Sequence, residues 1–569
     1  MTTKQRLARL RNEMGERGLS AYFVPSSDPH QSEYVPTCWK RRSWLSGFDG
    51  SAGDVLVTLD DAGLWTDGRY FLQAESDLTG TGIRLFRAGE PGVPSIEQFL
   101  SSHLNSGDVL GIDPQVVSHD RAASLHAASQ RAGAQMARVE PNLVDLAWAD
   151  RPALARNPVT RWPTKFAGET VRSKLSRVRK AMHDAGATAH VITTLDSIAW
   201  LLNIRGSDVD YNPVTIAYVI VTETDATLFV DAKKLSGPVR KVLETNVRIR
   251  PYAGMGSACG RLRKGGAKVW VDPASANAWC IEALGTSVQV VAPSPVGRMK
   301  AAKNPVELAG MRAAHLRDGV AMVRFLHWLE KTVAREGTTE LGAATQLEQF
   351  RAQGEHFRGL SFPTIAGYGP HGAIIHYCVD ESTDIALRPA GLFLLDSGAQ
   401  YTDGTTDITR TILLGERGSA VECDRFTRVL KGHIALACAV FPAGSSGARL
   451  DTLARMSLWQ AGLDYAHGTG HGVGAFLNVH EGPQSISHSR GLGAPLEVGN
   501  VQSNEPGFYE PGKFGIRIEN LIEVVRDEAA SKRGSEFHSF ETLTLCPIER
   551  RLIVRDMMTD GEIKWLNGY

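Results

Sequence analysis

Five residues in the last third of the chain have the types and setting to do chemistry: Asp396, Asp407, His471, Glu505 and Glu519. Asp396 closes an apolar run at 392–395, and Asp407 opens another at 408–414, across the polar turn Tyr401-Thr-Asp-Gly-Thr405. That pattern predicts a β-hairpin that aims two carboxylates at one spot. The histidine lies in His467-Gly-Thr-Gly-His471-Gly-Val-Gly474, which runs on to Asn478-Val-His480. Glu505 belongs to Asn504-Glu-Pro-Gly507, and Glu519 to Gly515-Ile-Arg517-Ile-Glu519-Asn520.

Singly, each residue has an ordinary reading. An aspartate beside a turn caps backbone amides, a histidine in a glycine-rich loop is a solvated turn residue, and Glu505 is a turn acid. Arg517 and Glu519 alternate with isoleucines, so they share a strand face and could form a salt bridge there. Together they are hard oxygen donors with one imidazole, a set that suits Mn2+, Fe2+, Co2+ or Zn2+ with at least one bridging carboxylate. No thiolate is among them, which argues against a closed structural zinc site. Four carboxylates cannot converge in a partly buried site uncompensated, because each desolvated anion costs several kcal/mol. Two divalent ions would offset them and hold a bridging hydroxide at neutral pH.

The elements that must position these residues read as α+β. Asn304-Pro-Val-Glu307 is a helix start, with an N-cap, proline at the first helical position and glutamate three residues after the cap. Leu308, Met311, Met322, Leu326 and Leu329 mark one face of the long helix that follows. Strands are expected around Phe362-Pro-Thr-Ile365 and Ala373-Ile-Ile-His376, and helices over about 421–441 and 450–461. A short helix behind a capping box ends the chain at 559–566, with a structural role expected. Nothing matches a P-loop or a dinucleotide fingerprint.

Upstream, Leu7, Arg9, Leu10, Arg11, Met14, Gly18 and Ala21 recur at the same spacing as Leu175, Arg177, Val178, Arg179, Met182, Gly186 and Ala189. Each set begins a helix, stops at a glycine and enters an apolar strand, so an internal duplication is the economical reading. Three prolines within residues 151–163 suggest a linker between the copies. The expected plan is two related α/β domains at 1–155 and 156–300, then an α+β domain at 301–569.

At 569 residues the chain exceeds one core. Hydrophobic content of 43% and charged content of 22% are those of a soluble globular protein. Lys+Arg and Asp+Glu both number 62, which argues against a nucleic-acid or anionic-membrane partner. The seven cysteines include no CxxC pair, so neither a disulfide framework nor a zinc ribbon is suggested. No apolar run approaches the roughly 18–20 residues that span a bilayer. The first residues lack the apolar core of a signal peptide, and a cytoplasmic location is expected.

At these motifs the sequence resembles the metallo-aminopeptidases of the pita-bread fold, and within them the long, three-domain Xaa-Pro aminopeptidases. The resemblance also takes in Gly372-Ala-Ile-Ile-His-Tyr377 and Trp44-Leu-Ser-Gly-Phe-Asp-Gly-Ser51, and covers essentially the whole chain. It implies two N-terminal creatinase-like domains before a pita-bread catalytic domain, two divalent metal ions (Mn2+ first, with Zn2+, Co2+ or Fe2+ as alternatives), and a homodimer. It assigns Asp396, Asp407, His471, Glu505 and Glu519 to metal, with Asp407 touching both ions and Glu519 bridging them. Glu505 would also shuttle a proton. His376, His467 and His480 match histidines that contact substrate and transition state, and Tyr509 and Arg517 match positions near substrate. Asn504 stands where an aspartate is common. The implied reaction is hydrolysis of the N-terminal Xaa-Pro bond of short peptides. Prolidase, methionine aminopeptidase and a non-catalytic binding homologue are the rivals.

Overall fold

The computed structural model describes residues 1–488, 493–532 and 534–569. They form two units, one of Met1–Arg161 with Thr170–Val296, the other of Trp162–Glu169 with Gly297–Tyr569.

In the first unit, helix α1 (Thr3–Glu16) starts at a Thr2–Gln5 capping box and buries Leu7, Leu10 and Met14, one stripe of its surface. Gly18, at φ +64°, turns the chain into β1 (Ala21–Val24). Strands β2 (Asp54–Thr58), β3 (Ala62–Thr66), β4 (Arg84–Arg87), β5 (Val109–Ile112) and β6 (Gln135–Arg138) complete a sheet in the order β4-β3-β2-β1-β5-β6. Helix α2 (His119–Arg131) precedes β6.

The second copy repeats the scheme. Helix α3 (Val171–Asp184) buries Leu175, Val178 and Met182, and Gly186 turns at φ +71° into β7 (Ala189–Ile192). With β8 (Tyr218–Thr222), β9 (Ala226–Phe229), β10 (Arg248–Arg250), β11 (Val269–Val271) and β12 (Val288–Val291), the order is β10-β9-β8-β7-β11-β12, the same topology shifted by six. The copies meet through equivalent loops that cap α2 and α4 (Ala278–Leu284). His119 N donates to Ala276 O while Ala278 N donates to Val117 O, and Asp120 N to Pro273 O while Trp279 N donates to Pro114 O. Such reciprocity is what two-fold-related copies of one surface produce.

The second unit begins with residues 162–169. Residues 151–159 carry no regular structure, as a linker would, but Trp162 is buried against Met311, Val473 and Val501, and its Nε1 donates to Thr402 O at 2.7 Å. Helix α5 (Pro305–Arg335) starts at the expected Asn304–Glu307 capping box, and α6 (Glu340–Ala352) follows. The strands then come in chain order. They are β13 (Phe357–Leu360), β14 (Ile365–Tyr368), β15 (Leu392–Ser397), β16 (Ala399–Tyr401), β17 (Gly404–Thr405) and β18 (Ile408–Leu413). The expected hairpin is therefore a bent one: β15 pairs antiparallel with β18, and the intervening β16 and β17 pair in a separate sheet with β13.

One expectation fails. Ala373–His376 is no strand; residues 369–373 form a single 3-10 turn and the chain winds on irregularly, because Pro370 and two glycines break the ladder. Helices α7 (Ala420–Ala437) and α8 (Gly447–Trp459) fill the predicted positions, α7 ending before the two-residue strand β19 (Phe441–Pro442). The remaining strands are β20 (Gly470–Gly472), β21 (Glu481–Ile486), β22 (Val501–Asn504), β23 (Gly507–Glu510), β24 (Phe514–Arg517), β25 (Asn520–Arg526) and β26 (Phe537–Thr542). They build the sheet β19-β26-β25-β22-β20-β21 and the pair β23-β24. Helix α9 (Asp560–Gly568) follows the Thr559–Glu562 capping box. Among the described residues no helix is long and apolar enough to cross a membrane.

Candidate metal centre

Four of the five candidate ligands sit at strand ends and breaks, where side chains escape the ladder. Asp396 lies near the end of β15, opposite Thr409. Asp407 precedes β18, Glu505 follows β22, and Glu519 falls in the break between β24 and β25. His471 is the middle residue of β20. Its flanking glycines are there for space: a Cβ on Gly470 would stand 2.0 Å from Ser503 O, and one on Gly472 would stand 2.3 Å from Glu481 O. Arg455, fully buried on α8, holds the approach to this strand through His467 O at 2.6 Å and Asp451 Oδ2 at 2.7 Å. Asp451 in turn accepts from Thr469 Oγ1 at 2.5 Å.

One donor atom from each of Asp407, His471 and Glu519 lies within 4.8 Å of the others. His471 Nε2 is 3.5 Å from Asp407 Oδ2 and 3.4 Å from Glu505 Oε1. Its other ring nitrogen, Nδ1, faces Gly472 O at 3.0 Å, so Nδ1 carries the proton and Nε2 presents its lone pair to two carboxylates. A lone pair aimed at anions is unfavourable unless a cation lies between, and a ring N–H spent on a carbonyl is how ligating histidines are held. Asp396 Oδ2 accepts from Arg517 Nη2 at 2.6 Å, while its Oδ1 is buried with no hydrogen-bond partner. Glu519 Oε2 accepts from Thr409 Oγ1 at 2.8 Å and Glu505 Oε1 from Ser503 Oγ at 3.2 Å.

Electrostatics agrees. Burial first, and neighbouring carboxylates second, push Asp407 and Glu505 well above the usual carboxylate range; the same causes raise Glu519 to about 8. Arg517 pairs with Asp396 and counters Glu505 and Glu519, and Asp407 is raised by its acidic neighbours. The donor set, the orphaned oxygen and the missing positive charge all fit divalent cations.

Around this cluster the structure gathers the other candidates. His467 Nδ1 donates to Gly468 O at 2.8 Å, and its Nε2 is 2.8 Å from the Tyr509 hydroxyl. Arg517 Nη1 donates to that hydroxyl at 2.6 Å, which leaves the phenol proton for His467. The His480 ring lies 4.4 Å from that of His471. His376 is half-buried and follows Ile375, whose carbonyl accepts from Arg517 Nη2 at 3.4 Å. The salt bridge considered between Arg517 and Glu519 is replaced: β24 ends at Arg517, and its ion pair is with Asp396. The two residues still meet indirectly, since Arg517 Nε donates to the Thr409 hydroxyl that serves Glu519.

Several supporting residues escaped the sequence reading. Thr409 and Ser503 are ordinary strand residues by pattern. Glu340, at the start of α6, accepts from Tyr368 N at 2.7 Å, from the Tyr377 hydroxyl at 3.0 Å and from His371 Nδ1 at 3.0 Å, and so pins the irregular loop that carries His376. No local signal marks it beyond an acid in the first turn of a helix.

Comparison with known proteins decides the family. Residues 309–526 match the model of metallopeptidase family M24, and 536–569 that of the C-terminal region of peptidase M24. This chain is a member of metallopeptidase family M24. Residues 6–146 and 150–307 each match a creatinase/prolidase N-terminal domain, as a duplicated N-terminal half requires. A probable Xaa-Pro aminopeptidase P of Aspergillus fumigatus is 44% identical over 582 residues, spanning all of this chain and 89% of its own. Aminopeptidase P2 of Arabidopsis thaliana is also 44% identical, over 99% of this chain and 84% of its own. Among solved structures, the X-prolyl aminopeptidase of Caenorhabditis elegans, described as a cytosolic enzyme with a di-nuclear active site, superposes with a TM-score of 0.97. It is 40% identical and covers 100% of this chain and 95% of its own. The M24 match thus falls within the second unit, and the two creatinase-like matches precede it in the sequence.

Proposed function

We propose that this M24 member is an Xaa-Pro aminopeptidase that removes the first residue of short peptides with proline second. Asp396, Asp407, His471, Glu505 and Glu519 would hold two divalent cations. Mn2+ is the metal we favour, with Zn2+, Co2+ and Fe2+ suited by the same donors. The observation that carries this is the convergence of Asp407, His471 and Glu519 within 4.8 Å. It occurs in a chain alignable throughout with an X-prolyl aminopeptidase.

Bound there, the cations would polarise the scissile carbonyl and acidify a water to a nucleophile at neutral pH. The chain's own residues do the rest. Glu505 uses one oxygen on Ser503 and has the other left to take a proton from the nucleophile and pass it to the leaving nitrogen. His376 and His480 are assigned to the developing oxyanion or the proline carbonyl. His467, held as a single tautomer, fixes the Tyr509 hydroxyl at the edge of the site. Arg517 is 1% exposed with its donors spent on Asp396, Tyr509, Thr409 and Ile375, so its service to substrate is indirect, through the groups it orients.

Two related N-terminal domains at about 1–155 and 156–300 favour this activity over a prolidase, restricted to dipeptides, and over a methionine aminopeptidase. The complete acid set disfavours a non-catalytic homologue, and balanced charge disfavours nucleic acid. A cytosolic location is supported by the nematode relative. A homodimer is supported by α5, where Leu316, Val320 and Val323 form a row 61%, 56% and 46% exposed. The purified protein should carry about two metal ions per chain and release the first residue of an Xaa-Pro-Xaa tripeptide until a chelator is added. Cleavage of Xaa-Pro dipeptides alone would transfer the assignment to prolidase.

A further inference from the structure

Arg410 is 2% exposed, yet among the described residues it has no carboxylate partner. Its guanidinium is spent on neutral acceptors. Nη1 donates to Glu519 O at 2.6 Å and Thr409 O at 2.9 Å, and Nε to Pro547 O at 3.0 Å. Nη2 meets Cys546 O at 2.8 Å, Asn520 Oδ1 at 2.9 Å and the Tyr569 hydroxyl at 2.8 Å. One side chain therefore ties β18 to the break that carries Glu519 and to the segment after β26. The Tyr569 hydroxyl closes this knot. It accepts from Cys546 N at 3.1 Å as well as from Arg410, and its proton can go to Thr544 O, Cys546 O or Asn520 Oδ1 at 3.0–3.2 Å. Its ring stacks on Trp565 of α9 at 5.2 Å.

We infer that Tyr569 is a positioning residue for the metal centre: through Arg410 and Asn520 it fixes the backbone of Thr409 and Glu519, and with it the separation of the segments that carry Asp407 and Glu519. The physical reason is that a buried arginine bonded only to carbonyls and one phenol is held in place by geometry rather than by charge. Removing the phenol oxygen leaves the buried Cys546 N–H unpaired and takes away one of the three acceptors that fix Nη2, leaving Cys546 O and Asn520 Oδ1, and a buried donor left unpaired drives local rearrangement. That rearrangement would fall on Glu519 O, whose side chain is one of the candidate ligands. The role goes beyond the structural one expected of a terminal helix. It rests on the reading of Asp407 and Glu519 as metal ligands.

The test compares wild type, Tyr569→Phe and Glu562→Gln as full chains, titrated with Mn2+ alone against a chelating dye. Tyr569→Phe removes one oxygen and keeps the ring. Glu562→Gln loosens α9 by weakening its pair with Lys431 (2.7 and 2.8 Å) and leaves the hydroxyl in place. Mn2+ affinity should fall about tenfold in Tyr569→Phe, the lower end of the roughly 10–100-fold cost of outer partners. It should stay within about twofold of wild type in Glu562→Gln at equal or greater loss of Tm. Amide hydrogen exchange on the metal-free proteins reads the same clamp without metal: β25 should exchange faster in Tyr569→Phe than in Glu562→Gln. Wild-type affinity in Tyr569→Phe, or equal weakening in both variants, overturns this inference alone. A wild-type chain that binds no Mn2+ overturns the metal reading with it.

Discussion

Glu481 and Glu519 are both almost completely buried in the second unit, at 2% and 1% exposure, and both belong to clusters of charge. Glu481 is gripped by Lys300 Nζ at 2.6 Å and by Lys303 Nζ. Burial holds the Lys303 ammonium below its ordinary value, Lys300 adds to that, and Glu481 and Glu307 counter part of it. Two ammonium groups and two carboxylates therefore offset one another. Glu519 faces Asp396, Asp407 and Glu505 with Arg517 as counter-charge, and burial and like charge raise its pKa to about 8. The first cluster is complete as it stands. The second is arranged at a cost that an added cation removes, which is the mark of a site and not of a strut.

The largest test of this difference is Asp407→Ala. Metal affinity should drop by more than about 100-fold, beyond the roughly 10–100-fold typical of outer partners, and Xaa-Pro hydrolysis should go with it. Metal content after dialysis and tripeptide turnover measure both, and retention of either would break the contrast. Next comes metal addition to the stripped wild type. At about a thousandfold excess over Kd, apparent stability should rise by about 4 kcal/mol, and the rise should survive in Glu481→Gln, whose cluster needs no metal.

The same acid-to-amide change should then act with opposite sign in the two places. Glu481→Gln leaves a buried ammonium without its partner and should cost about 3–5 kcal/mol. Glu519→Gln in the metal-free protein relieves repulsion and should stabilise by about 1 kcal/mol, as changes at strained functional sites often do. Urea unfolding of both variants without metal decides it. Two destabilised variants would show that the acid cluster is satisfied after all.

This pairing also explains what could be read from the chain. The acid cluster is legible because its members sit in short polar runs that interrupt apolar strands: Asp396 ends one, Asp407 starts another, and glycines around His471 announce close backbone approach. The lysine cluster is illegible, because Lys300, Lys303 and Glu481 read as ordinary surface charges until the fold buries them together. The N-terminal duplication could be read because helix stripe and terminating glycine recur in register. The loop before His376 reads as a strand because its apolar content outweighs Pro370 and its glycines, and the fold makes it a 3-10 turn and irregular chain. Trp162 reads as part of a linker and is an anchor of the second unit, and only the fold brings Tyr569 to Arg410.

A buried ionisable group can also avoid both solutions by staying neutral, and His190 on β7 does so. It is fully buried, donates from Nδ1 to Trp270 O at 3.0 Å and meets the Ser294 hydroxyl with Nε2 at 2.9 Å. Burial lowers its pKa from 6.5 to about 4. The unfolded chain therefore binds more protons than the folded one between those values. Stability from this group is complete above about pH 6.5 and declines as pH falls toward 4. The loss by pH 5 should be about 2 kcal/mol, at roughly 1.4 kcal/mol per pH unit. His433, lowered to about 3 by burial and by Arg410, adds a similar slope in the second unit. Urea unfolding of the full chain at pH 7, 6 and 5 should show the decline, and His190→Asn should reduce it by the His190 share while leaving those of His30, which burial also lowers, and His433. An unchanged slope in that variant would mean that His190 takes up its proton in place, and that the first unit, like the second, keeps a counter-charge for it.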